Sequence, residues 1–146
     1  MTNDGTIILV EDDKDDIEVI AGIINESFSN HELKVLDTLE EVFAYLSSEA
    51  EKPFIIICDN NWRNRNQDKF EKLIHKYPLL KLKSIPFIFY SASPQNELIV
   101  NAFEHLNVQG YFQKHSTYEE IRQDLKAIIN YWERSVKTVN LPEDIH

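Results

Sequence analysis

Four short polar clusters follow apolar runs in this chain, and between them they hold the side chains that chemistry at phosphorus requires. Glu11-Asp12-Asp13 follows Ile7-Ile8-Leu9-Val10, and Asp59-Asn60-Asn61 follows Ile55-Ile56-Ile57-Cys58. Ser91-Ala92 follows Phe87-Ile88-Phe89-Tyr90, and Lys114-His115 follows Gly110-Tyr111-Phe112-Gln113. Crowded carboxylates repel one another, and a hard divalent cation relieves the repulsion. Mg²⁺ needs only one or two carboxylates, with carbonyl, water and phosphate oxygens completing its shell. A carboxylate beside it can attack phosphorus and form an acyl phosphate. Metal, ammonium and hydroxyl together can then stabilise the charge on the equatorial oxygens. Each residue also has a plainer use. An Asp after an apolar run is commonly a turn residue, and Asp15 or Asp16 can simply serve a helix N-terminus. Ser91 can be a loop hydroxyl and Lys114 a solvated charge. Four compatible residues at four strand ends, in this chain order, favour the chemical reading.

The elements that must position these residues are legible as alternating patterns. Apolar runs at residues 6–10, 33–36, 54–58, 85–90 and 110–113 predict five strands. Most are continuous rather than alternating, as in strands covered on both faces. Between them, apolar residues recur at helical spacing. The sets are Ile17, Ile20, Ile24 and Phe28; Leu39, Val42, Phe43 and Leu46; Phe70, Leu73 and Ile74; Leu98, Ile99, Ala102, Phe103 and Leu106; and Ile121, Leu125, Ile128, Ile129 and Trp132. Tyr77-Pro78 ends the third, because Pro disfavours helix at the residue before it. Ser93-Pro94 marks a helix start, and Thr117-Tyr118-Glu119-Glu120 reads as a capping box. Strand–helix alternation of this kind specifies an α/β, doubly wound parallel sheet with helices on both faces. Function in such sheets lies outside the carboxyl ends of the strands, where the four clusters fall.

Composition narrows the classes. The chain has 146 residues, 42% hydrophobic and 27% charged, which suits one globular domain. With 3 Gly and 5 Pro it is neither disordered nor collagen-like. A formal net charge of -10 repels phosphate backbones, so no nucleic-acid partner is expected. The lone Cys58 allows no internal disulfide and reads as a buried small hydrophobe. The first apolar run is too short for a signal peptide or membrane span, so a cytoplasmic location without membrane partner is expected. Residues 137–146 lack a clear period and contain Pro142, which sets the domain at 1–136 with a C-terminal extension at 137–146.

The constellation resembles the receiver domains of two-component response regulators, in a stand-alone form, over residues 6–136. The segments that carry it are Ile7 to Asp13, Ile55 to Asp59, Pro86 to Ala92 and Gly110 to Lys114. The resemblance implies a flavodoxin-like (βα)5 sandwich with strand order 2-1-3-4-5. It implies that Asp59 is the phosphoacceptor and that Mg²⁺ is the cofactor. Glu11 and Asp12 become the acidic pair, with Asp12 favoured as the direct metal ligand. Asp59 and the backbone carbonyl of Asn61 complete the protein's share of the metal shell. Ser91 matches the hydroxyl residue that bonds the phosphoryl group, and Lys114 the lysine that pairs with phosphoaspartate. Tyr111 matches the aromatic whose exposure changes on switching, although it can equally be a strand aromatic at the core edge. Phosphorylation would then bias a two-state element and alter a protein-binding face. The implied partners are a sensor histidine kinase or a histidine phosphotransfer protein and a downstream protein target. A homodimer through the last helix is also open, with Tyr131 and Trp132 either core or edge.

Two segments depart from the pattern. After Asp59 the chain reads Asn60-Asn61-Trp62-Arg63-Asn64, without the usual Pro and Gly. Trp62 and Arg63 either shield the site or belong to a longer solvated loop. His115 replaces the proline that usually follows the lysine; a cis bond there would cost about 2.5–4 kcal/mol and need tertiary enforcement. His115 could also touch the site as a titrating group. His31, His75, His105 and His146 show no metal-ligand spacing and are expected at the surface. Two alternatives remain open. One is a pseudo-receiver, an interaction module that is not phosphorylated. The other is a Mg²⁺-dependent phosphohydrolase, to which Asp13-Lys14-Asp15 bears a loose haloacid-dehalogenase-like resemblance. Multiple turnovers on a small phosphate ester would mark the last.

Overall fold

The computed structural model describes residues 4–48, 52–59, 85–92 and 109–143, with side chains described as far as residue 135. These residues form β1 (Thr6–Val10), α1 (Lys14–Ser27), β2 (Glu32–Leu36), α2 (Leu39–Ser47), β3 (Ile55–Cys58), β4 (Phe87–Ser91), β5 (Gly110–Gln113) and α3 (Tyr118–Glu143). The expected helices around Phe70 and around Leu98, with the Ser93-Pro94 start, lie outside the described residues.

All four strand pairings are parallel, and the sheet order is β2-β1-β3-β4-β5. This is the doubly wound, flavodoxin-like order that the family resemblance implied. β3 and β4 are buried at every residue, whereas β2 and β5 at the edges are partly exposed. The continuous apolar runs follow from this, since a central strand covered on both faces has no solvent side on which to place polar residues.

Period-two alternation divides the core into two layers. Ile8, Val10, Ile56, Cys58, Phe87 and Phe89 face α2, meeting Leu39, Val42, Phe43 and Leu46. Ile7, Leu9, Ile55, Ile57, Ile88 and Tyr90 face the other way, against Ile20, Ile23 and Ile24 of α1 and Ile121, Leu125, Ile128 and Ile129 of α3. The apolar stripes read for α1, α2 and α3 are therefore the buried faces of those helices, with Ile17 and Trp132 partly buried. Trp132 packs against the second layer, while Tyr131 is exposed.

Local side-chain bonds fix where the helices begin. Asp13 caps α1 by accepting from the Asp16 N–H at 3.0 Å. Thr38 caps α2, accepting from the Glu41 N–H at 3.2 Å. Thr117 accepts from the Glu120 N–H at 3.2 Å, and its hydroxyl donates to the Glu120 carboxylate at 2.7 Å. The Thr117 half of the expected capping box is present, while the Glu120 carboxylate takes the Thr117 hydroxyl where the box would use the backbone N–H. α3 continues to Glu143 without a break at Lys137, although the sequence there carries no apolar period. No described helix is long and apolar enough to cross a membrane.

The expectation of a surface position for His31 is overturned, because its residue is buried. Its ring stacks on Phe54 with centroids 4.5 Å apart. Nδ1 lies 2.8 Å from the Gly5 carbonyl and Nε2 lies 3.2 Å from the Glu133 carboxylate. Hydrogen bonding at both ring nitrogens lets an imidazole enter a core that would otherwise reject it. Gly5 itself has φ +110°, and a Cβ there would stand 2.9 Å from Phe54 Cβ. Gly5→Ala is therefore expected to cost about 1–3 kcal/mol, read as a lower urea midpoint with an unchanged m-value.

Candidate functional site

Register carries the polar clusters to one end of the sheet. Val10 pairs with Cys58, so Glu11 and Asp59 leave adjacent strands side by side. Cys58 pairs with Phe89, and Ser91 pairs with Gln113, which places Lys114 one residue past the end of β5. The backbone extends the ladder by one step at each point. The Asp59 N–H donates to Val10 at 3.0 Å, the Glu11 N–H to Leu36 at 3.1 Å and the Lys114 N–H to Ser91 at 2.9 Å. The side chains thus begin their reach from anchored backbone.

Lys114 gathers three carboxylates. Its Nζ lies 3.1 Å from Glu11 Oε1, 3.3 Å from Asp16 Oδ2 and 3.8 Å from Asp59 Oδ2. Glu11, Asp16 and Asp59 each present an oxygen within 4.8 Å of the others. Glu11 and Asp59 are buried, whereas the Asp16 side chain is 40% exposed and opens the cluster to solvent. The second Glu11 oxygen accepts from the backbone N–H groups of Asp12 and Asp13 at 3.1 and 3.3 Å. Those bonds turn Glu11 inward.

Burial, reinforced by the negative charge of Asp59, holds the Glu11 carboxyl up at about 7 despite the opposing pull of Lys114. Burial works to lower the Lys114 ammonium, but Glu11, Asp59 and Asp16 prevail and raise it. A carboxyl raised in the folded state holds its proton there over a range where the unfolded chain has lost it. Its contribution to stability is complete below about 4.5 and is lost as pH rises through about 7. Glu11→Gln should therefore remove a decline of order 1–3 kcal/mol across that window. Urea titrations of the chelator-treated protein at pH 5 and pH 7.5 measure it.

The structure brings Glu11, Asp59 and Lys114 together as expected and adds Asp16 to them. Asp12 is exposed and stands outside the cluster of three carboxylates. The physical reason lies in the chain path: Asp12 follows Glu11 out of β1 toward α1, while Asp16 returns one turn into the helix. Asp16 heads the buried stripe that continues through Ile20 and Ile24, four and eight residues on. That spacing is the sequence signal for its inward direction. Ser91 is buried at the end of β4, the strand that pairs with β3. Tyr111 is half-buried, its hydroxyl donating to the Ser91 carbonyl at 3.4 Å; burial and the Asp59 charge raise its phenol. Cys58 is buried and free of any disulfide. Asn61, Trp62 and Arg63 lie outside the described residues. All peptide bonds among the described residues are trans, including that before His115.

Comparison with known proteins finds response regulators similar to this chain. No family model matches the chain. The response regulator Rcp1 of Synechocystis sp. is 26% identical over 141 residues, covering 93% of this chain and 92% of Rcp1. The crystal structure of the phosphorylated cyanobacterial phytochrome response regulator RcpA superposes with a TM-score of 0.71 at 28% identity, over 90% of this chain and 95% of RcpA. The Mn²⁺-bound form of Rcp1 superposes at 0.67 over 88% of this chain and 94% of that chain; at 24% identity, it shows the shared fold alone.

Proposed function

We propose that this chain, a response-regulator receiver domain, accepts a phosphoryl group on Asp59 and signals by changing its protein contacts. Its part in two-component signalling rests on the likeness to Rcp1 and RcpA. The observation that carries the phosphoacceptor reading is the buried Asp59 carboxylate facing Lys114 beside Glu11 and Asp16. A buried Asp without that setting would be a poor bet.

Glu11, Asp16 and Asp59 present only hard oxygen donors in a compact group, a set that fits Mg²⁺ or Mn²⁺. Asp12 and the Asn61 carbonyl remain candidates for the shell. A bound divalent ion would neutralise the clustered carboxylates and the incoming phosphate. The chain's own residues supply the rest. An Asp59 oxygen attacks phosphorus, the bond from phosphorus to the donor's imidazole nitrogen breaks, and that nitrogen keeps the electron pair. Lys114 pairs with an oxygen of the new acyl phosphate. Ser91, on the neighbouring strand, would donate its hydroxyl to another. Ser91 and the nearby Tyr111 would couple the modified site to the β5 edge, where partner contacts change.

The donor would be a sensor histidine kinase or a histidine phosphotransfer protein. Because RcpA is a phytochrome response regulator, a phytochrome-type kinase is the first donor to test. The chain would act in the cytoplasm as a regulator, without turning over a separate substrate. Purified protein with Mg²⁺ and acetyl phosphate should gain one phosphoryl group by intact mass. Metal binding without an adduct from either acetyl phosphate or a kinase would support the pseudo-receiver instead.

A further inference from the structure

Behind the site, one carboxylate on α3 joins two strand ends. Asp124 Oδ2 accepts from the Tyr90 hydroxyl at 2.8 Å and from His115 Nδ1 at 2.8 Å. Tyr90 immediately precedes Ser91, and His115 immediately follows Lys114. Ser91 and Lys114 are the two side chains assigned above to the phosphoryl oxygens. Tyr90 is fully buried in the layer between the sheet and the helices, and the Asp124 side chain is 19% exposed. The His115 side chain is 48% exposed, so solvent reaches one arm of the arrangement only. The Lys114 ammonium also lies 5.6 Å from the centre of the Tyr90 ring.

We infer that Asp124 is a positioning residue, a clamp that sets the separation of Ser91 and Lys114 through Tyr90 and His115. The inference rests on the proposed phosphoryl transfer to Asp59. A proline at 115 would stiffen the chain after the lysine by fixing φ. His115 achieves restraint differently, by a bond to a helix that also holds the preceding residue of the hydroxyl strand. A buried tyrosine hydroxyl needs an acceptor, and Asp124 supplies it at a point where it can also receive the imidazole.

The exposed arm makes the clamp responsive to pH. The bond to Asp124, then the charges of Asp124 and Glu120, raise the His115 imidazolium above its ordinary 6.5. Tyr90 is raised by burial and then by Asp124, with Asp16 adding to it, so it stays protonated and holds its arm throughout. Charge assistance to the His115 bond is present below the ordinary value and is lost as pH rises through the raised one. Phosphoryl transfer should therefore slow severalfold over that rise.

The test uses the full chain with Mg²⁺ and acetyl phosphate, following adduct formation by intact mass from pH 6 to pH 9. Asp124→Ala should slow adduct formation by roughly tenfold, short of the ~100-fold that an ångström of misplacement can cost. Asp124→Ala and His115→Gln should both lose the His115 part of the pH profile, to which the Glu11 carboxyl, raised to about 7, contributes in every variant alike; Tyr90→Phe, which keeps the His115 arm, should retain that part. Tyr90→Phe/Asp124→Ala leaves no hydroxyl orphaned, and it takes over should Asp124→Ala fail to fold. Imidazole NMR, with the resonance assigned through His115→Gln, should show His115 titrating at lower pH once Asp124 is gone. A folded Asp124→Ala with wild-type rate and pH profile would overturn the clamp, as would a His115 titration indifferent to Asp124. No adduct in the wild-type chain, from either acetyl phosphate or a kinase, would instead sink the phosphoacceptor reading, and the positioning role with it.

Discussion

Asp59→Asn should abolish the Mg²⁺-dependent adduct, with no residual phosphoryl mass after incubation times that saturate the wild-type chain. The carboxamide keeps the shape and a carbonyl oxygen but is a far weaker nucleophile, and its NH₂ is no metal ligand. The loss should be complete because neither Glu11 nor Asp16, the other two carboxylates of the cluster among the described residues, can replace Asp59. Glu11 is turned inward and spends one oxygen on two backbone N–H groups and the other on Lys114. Asp16, 40% exposed, stands on the solvent side of the cluster and projects from a helix instead of a strand end. The substitution should leave the fold intact or firmer, since it removes one of three mutually repelling carboxylates. An adduct of unchanged yield in Asp59→Asn, mapped to Asp16 or Glu11 by peptide mass, would overturn the assignment of the nucleophile. Adduct loss accompanied by a collapsed urea midpoint would leave it unsupported.

Much of this arrangement was legible in the chain, and the reasons are local. The ends of β1 and β5 are legible to the residue: the apolar run of β1 stops abruptly at Glu11, and β5 closes on Gln113 just before Lys114. β4 starts two residues later than its apolar run and includes Ser91, since burial of the hydroxyl at the strand end does not show in hydropathy. For Asp16 the sequence offers no use beyond that of an acidic residue at a helix N-terminus. Asp16 does stand in the first turn of α1, which Asp13 caps, but it also reaches Lys114, 98 residues away in sequence. Contacts of such separation leave no periodic trace. His31 illustrates the same limit: its burial depends on Glu133, a residue of the last helix, and on the Gly5 carbonyl. The Asp124 clamp had a faint mark, an acidic residue between Ile121 and Leu125 on the buried stripe of α3. Asp124 stands next to that stripe, close enough for its carboxylate to accept from the Tyr90 hydroxyl.

Lys114→Met should separate the structural role of the ammonium from its chemical one. In the chelator-treated protein at pH 8, the variant leaves Glu11 and Asp59 facing each other without their cation, both nearly fully buried. Removing one partner of a buried ion pair costs about 3–5 kcal/mol when the other charge cannot escape. Here part of that cost has an outlet, because Glu11 is already raised to about 7 and can take up a proton. The expected loss is therefore about 2 kcal/mol at pH 8 and much less at pH 5, where Glu11 is neutral. Millimolar Mg²⁺ should recover most of it at pH 8, since a divalent ion relieves the same repulsion. Metal affinity in the variant should exceed that of the wild-type chain, in which Lys114 competes for the same three carboxylates. Adduct formation should nonetheless fall by about 100-fold, the scale seen when one charge-stabilising donor is removed from a transition state. Parallel urea melts with and without Mg²⁺, and adduct yields from the same preparations, measure both effects. Equal destabilisation at the two pH values would mean that Glu11 does not take up the proton. Undiminished adduct formation would mean that Lys114 holds the resting site together and leaves the phosphoryl group to other donors.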